Sequence, residues 1–216
     1  MTQVLSLLCA IGVIAATGGT AHADAQLWAE GGVSKEVSKR TEVQFTLHMR
    51  FDQDISRLTA VLPEASARYR IKKWLRVGGG YRLEYERKRN GEFVLRHRVS
   101  ADVRFRYEVH PVRFDYKVML LEQVRPSSND QFRTVLRNRI DVTYRASKPW
   151  TPGVAAEVFH ALGDLDQVAY SKLRLTVGVT YERARHAFEV FYRAELHADP
   201  ADPTFHILGL GYNFEL

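Results

Sequence analysis

Residues 42–51 read Glu-Val-Gln-Phe-Thr-Leu-His-Met-Arg-Phe, an unbroken alternation of polar and apolar side chains. A β-strand sends successive side chains to opposite faces. Val43, Phe45, Leu47, Met49 and Phe51 therefore share one face, and Glu42, Gln44, Thr46, His48 and Arg50 share the other. The pattern recurs, with breaks, to the carboxyl end. Residues 75–86 set Val77, Tyr81, Leu83 and Tyr85 against Arg76, Arg82, Glu84 and Glu86. Residues 95–109 set Val99, Val103, Phe105 and Tyr107 against Arg98, Asp102, Arg104 and Arg106. Further on, Ile140, Val142 and Tyr144 oppose Arg137, Arg139 and Asp141. Helical periodicity is scarce, and the reading is an all-β chain of two-faced strands.

The chain of 216 residues is long enough for one domain with a sizeable interior, and it is basic, with formal net charge +6. Residues 1–23 read as a secretory signal. The apolar run over 4–16 is shorter than the ~20 residues of a spanning helix, and Ala21-His22-Ala23 fits cleavage before Asp24. The first residues carry no Lys or Arg, a departure from the usual signal. The expected organisation is thus a cleaved signal over 1–23 and a barrel domain over 24–216. Cys9, the single cysteine, lies in the signal. The mature chain is therefore expected to carry no disulfide, thiolate metal site or Cys nucleophile. No metal or other cofactor is expected. Beyond the signal no stretch is long and apolar enough for a transmembrane helix, so any membrane insertion uses strands.

Alternation alone fits two opposite designs, one with the apolar face as a soluble core and one with it against lipid. Strand length favours lipid, since many segments reach the ~9 to 11 residues needed to cross a bilayer. Apolar stripes that end in Tyr85, Tyr107, Tyr144, Tyr181, Tyr192 and Tyr212 fit an interfacial girdle. Connections alternate between tight turns, near Lys73-Trp74 and His110-Pro111, and longer polar loops at 52–63, 88–92, 125–131, 163–167 and 198–204. That is the plan of an antiparallel up-and-down outer-membrane barrel, with turns and the carboxyl end in the periplasm. About eleven segments are visible, where bacterial barrels use even numbers. Either residues 27–33 stand outside a ten-stranded wall, or two strands of a twelve-stranded wall have been merged.

Gly211, Phe214 and the terminal Leu216 resemble the last-strand signal read by the barrel assembly machinery of outer-membrane proteins. Gly209 departs from it, because a polar residue is usual there. Trp28-Ala29-Glu30, Arg50-Phe51, Gly80-Tyr81-Arg82 and Ala156-Glu157-Val158-Phe159 give the chain a resemblance to a family of uncharacterised bacterial outer-membrane barrel proteins, a domain of unknown function. The resemblance implies a fold and a compartment, the bacterial outer membrane. It implies no activity.

The proposed inward face is rich in arginine. Arg82, Arg98, Arg104, Arg106, Arg137 and Arg139, with Glu84, Asp102 and Asp141, are the candidate lumen network or constriction. Two readings follow: a lumen filled by paired ions, or a narrow passage preferring small anions. Outer-membrane lipid and the assembly machinery are the expected partners, and nucleic acid is not expected for an exported chain. The rival class is a soluble periplasmic barrel that binds an apolar ligand. A lipid hydrolase ranks below both, because no Ser or His sits in a recognisable nucleophile motif, and an enzyme is not expected. Gly78-Gly79-Gly80 lacks the lysine and helix of a phosphate loop and reads as a place where a lumen side chain packs closely.

Overall fold

Alternation sustained over 11 to 17 residues makes strands, and little else, in the computed structural model. It describes residues 25–52, 55–88, 90–124, 132–145, 149–163 and 168–216. The expected signal, with Cys9, lies outside the described residues, as do parts of the longer loops. In chain order the strands are β1 (Ala25–Glu36), β2 (Thr41–Asp52), β3 (Arg57–Lys72), β4 (Leu75–Arg87), β5 (Phe93–Val109) and β6 (Val112–Val124). They continue as β7 (Phe132–Tyr144), β8 (Trp150–Leu162), β9 (Val168–Arg183), β10 (His186–His197) and β11 (Phe205–Glu215). Each pairs with its sequence neighbours, and the sheet closes between β1 and β11.

The closure settles the count that the sequence left open between ten and twelve, and it is parallel where an antiparallel wall was expected. The wall has eleven strands, and β1, which holds residues 27–33, is one of them. With an odd count in an up-and-down chain, the first and last strands run the same way. β1 and β11 accordingly pair in parallel, from Ala25 opposite His206 to Ser34 opposite Glu215. Gly32 fits that seam, since a Cβ there would lie 2.9 Å from Asn213 Oδ1 and 3.3 Å from Thr46 Oγ1. Parallel closure also places Ala25 at the long-loop end and Leu216 at the tight-turn end. The loop expected over 52–63 is shorter than its sequence suggested, because β3 begins at Arg57 and Pro63 pairs with Leu47 inside it.

The two faces fall as a membrane barrel requires. Phe45, Val99, Ile140, Leu175, Val190 and Leu210 are exposed on the outside. An apolar belt on all sides has no counterpart on soluble proteins, whose exposed patches are small, whereas it matches the lipid band of a membrane barrel. Aromatic rings gather toward the tight-turn end. Trp74 stacks on Phe105 with centroids 6.3 Å apart, and Trp150 lies 4.7 Å from Tyr181. The fold is a transmembrane β-barrel. Among the described residues its interior pockets are lined largely by charged side chains.

Candidate functional site

The lumen is built by the polar parity of every strand, and its charges are unevenly matched. Ion pairs run around much of the wall and are densest about Glu157 and Glu195. Glu157, only 2% exposed, is hydrogen-bonded by Arg137, with Arg174 at 3.5 Å and Arg139 at 3.9 Å. Glu195 takes Arg174 and, at 2.9 Å, Lys172. Glu84, fully buried, lies 2.5 Å from Arg98 and accepts a hydrogen bond from Gln123. Arg82 pairs with Glu64, and Arg106 reaches Asp115 at 2.8 Å. Buried charge is expensive unless paired, so these contacts are the condition for filling a narrow barrel with ionised groups.

The register shows where matching stops. Following cross-strand partners from β7 to β10, Arg139, Glu157, Arg174 and Glu195 stand side by side with alternating sign. Followed the other way, the same row reads Arg139, Lys117, Arg104 and Arg76 across β7, β6, β5 and β4. Directly opposed residues are ~5 Å apart at Cα, and like charges there destabilise a sheet. Arg139 is held by Asp141 at 2.6 Å. Among the described residues, no carboxylate lies within 4 Å of Arg76, Arg104 or Lys117.

The long-loop half holds a cavity of about 420 Å³. Arg82, Arg98, Arg137 and Arg139 line it, so the structure brings four of the sequence-predicted residues together. Arg104, Arg106, Glu84, Asp102 and Asp141 do not line it. Arg104 belongs to the cationic row. Asp102 packs over Gly78, where a Cβ would sit 2.7 Å from its Oδ2, and this is the close approach expected of the glycine run. A second, small pocket of about 30 Å³ at the tight-turn end includes Arg68, Arg70 and Arg76. The cationic row thus runs between the two, from Arg76 in one pocket to Arg139 in the other.

Sequence reasoning missed the aromatic part of the cavity. Trp28, Phe159 and Phe191 face inward among the arginines. Arg50 lies 4.2 Å from the Trp28 centroid, Arg174 lies 4.7 Å from Phe159, and Arg193 lies 4.6 Å from Phe191. Such cation–π contacts hold a guanidinium flat while leaving its edge free to donate. The signal that could have found them is parity: Phe159 follows Glu157 by two residues, and Phe191 lies between Glu189 and Arg193 on their own face. Two bulges, unreadable from the alternation, flank this end. Thr59 is the extra residue opposite Arg50 and Phe51, and Ser171 is the extra residue opposite Phe159 and His160. Bulges of this kind re-aim side chains beside functional sites.

The residues matched to the assembly signal lie on β11. Leu216 donates its backbone N–H to Ser34 across the seam at 2.8 Å, Phe214 lies 5.1 Å from the His186 ring, and Gly211 faces Glu189.

A family model described as "Protein of unknown function (DUF2490)" matches residues 25–206, and the chain belongs to that family. No curated protein matches it. Among solved structures it is similar to LpxR from Salmonella typhimurium, with a TM-score of 0.54 and 8% identity over 84% of each chain. It is also similar to the β domain of the Bordetella autotransporter BrkA, with a TM-score of 0.45 and 13% identity over 83% of this chain and 85% of that one. At that identity the likeness to LpxR concerns the fold.

Proposed function

We propose that this protein is an outer-membrane barrel whose lumen binds small anions and passes them along a narrow basic path. The observation that carries the reading is the row Arg76–Arg104–Lys117–Arg139. Four adjacent strands set like charges against one another at a stability cost, where β7 to β10 show that the same row can be neutralised. A lumen that served only as packing would extend the alternating arrangement around the wall. The row joins the basic cavity to the pocket at the tight-turn end, so it is placed to hand an anion from one to the other. The distinctive lumen group is a run of cations, of which Arg76, Arg104 and Lys117 have no carboxylate within 4 Å among the described residues, rather than a nucleophile beside a base, and the proposed role is passage rather than catalysis. Delivery through the barrel assembly machinery, reading Gly211, Phe214 and Leu216, belongs to the same proposal.

Purified protein in planar bilayers tests it. Small anion-selective steps are expected, and the paired change Arg104→Gln with Lys117→Gln should move the reversal potential toward cations. Arg106→Gln, whose partner Asp115 also has Arg113 at 3.1 Å, should move it less. Cation-selective steps, selectivity indifferent to the paired change, or no steps at all would overturn the reading.

A further inference from the structure

Two guanidiniums in the cavity have little direct pairing, although Glu30, Glu86 and Glu189 line the same space. Arg193 is 9% exposed, and its Nε donates to Thr176 Oγ1 at 3.0 Å. No carboxylate lies within 4 Å of it among the described residues. Arg50 has one carboxylate near, Glu86 at 3.9 Å, and its buried Nε has no hydrogen-bond partner. Both lie against the ring of buried Trp28, at 4.2 Å for Arg50 and 5.1 Å for Arg193, and all three line the same cavity. Arg174, also 5.2 Å from that ring, is already committed to Glu157 and Glu195.

We propose that Arg50 and Arg193, braced on Trp28, form a binding site for a phosphoryl dianion, in the form of free phosphate or a phosphomonoester. This rests on the anion-binding reading of the lumen and names the ligand class of its cavity. Two guanidiniums held against the Trp28 ring offer preset donors at little ordering cost. A group with several terminal oxygens and two negative charges matches two such forks, and a carboxylate, with two oxygens and one charge, fills one. The cavity of about 420 Å³ leaves room for a small organic group attached to the phosphate. The bulges at Thr59 and Ser171 lie beside the ladder positions of Arg50 and Lys172.

The test is titration of the detergent-solubilised barrel, in a chloride background, with inorganic phosphate, glycerol 3-phosphate and dihexanoyl phosphatidic acid, and with acetate as the monoanionic comparison. Saturable phosphate binding is expected, tighter than acetate by about tenfold or more, and weakened by about as much in Arg50→Gln and in Arg193→Gln. Arg193→Lys should fall between. Trp28 fluorescence reports binding without any charge change, because Trp74 and Trp150 are exposed on the barrel wall. The phosphate-dependent signal should vanish in Trp28→Phe. Preference for glycerol 3-phosphate identifies a soluble source, and preference for the phosphatidic acid identifies a lipid headgroup. Either supports the site. Phosphate binding no tighter than acetate, or unmoved in both glutamine variants, overturns it. Anion-selective conductance without phosphate preference defeats this inference alone. Phosphate binding lost in Arg50→Gln without anion-selective conductance defeats the passage alone and supports the site.

Discussion

The ring of Phe191 lies over Gly209 of the neighbouring strand. A Cβ built on Gly209 would sit 1.9 Å from Phe191 Cζ, and the two residues are direct ladder partners. Gly209 is thus where the last strand departs from its usual polar residue, and the departure makes space for a ring. That ring in turn carries Arg193.

Gly209→Ala should force the ring aside and destabilise the barrel by about 1 to 3 kcal/mol, the usual range for overpacking. Phe191→Ala should remove most of that penalty when the two changes are combined. Urea unfolding of the four forms of this cycle checks it, and additive effects would show that the two residues do not meet.

The outward face gives a second expectation. Leu175 is exposed on the wall, and its neighbour Thr176 lines the cavity. Leu175→Arg should cost ~2 to 4 kcal/mol if it lies near the bilayer midplane, and Thr176→Gln clearly less. Folding titrations in lipid vesicles measure both, and a Thr176→Gln cost equal to or above that of Leu175→Arg would contradict this assignment of the faces.

Glu157 is the hub of the paired arc. Glu157→Gln leaves Arg137, Arg139 and Arg174 facing one another around a neutral amide, and should destabilise by about 3 to 5 kcal/mol. Glu189→Gln should cost less, because Glu189 has no ion pair among the described residues. Denaturant midpoints of the two variants decide the order.

Parallel closure makes the last prediction. Ala29 and Leu210 are register partners across the seam. Cysteines placed at both should form a disulfide under mild oxidation, since adjacent strands bring Cα atoms into the ~4.4 to 6.8 Å range such bonds need. A ten-stranded wall closing β2 on β11 would leave them unlinked, and a gel shift on reduction distinguishes the two.

The sequence alone determined the strand periodicity, the direction of each face and the arginine-rich interior. These follow from a period of two, which is local: parity places Arg82, Arg98, Arg137 and Arg139 inside with no knowledge of their neighbours. Parity also held the inward placement of Phe159 and Phe191, though aromatic residues on the charged face are read past when apolar is equated with outside. Only the tertiary structure decided the rest. Strand number and the parallel seam depend on which edges meet, and residues 27–33, two of them glycines, carry too weak an alternation to announce an edge. Whether Arg104 is neutralised depends on register, because its neighbours Arg76 and Lys117 come from strands that begin and end at different points. The same kinds of charge give a zipper from β7 to β10 and, from β4 to β6, a row in which Arg76, Arg104 and Lys117 meet no carboxylate within 4 Å among the described residues. Charge is written in the sequence, but which charges stand opposite one another is fixed only when the wall closes.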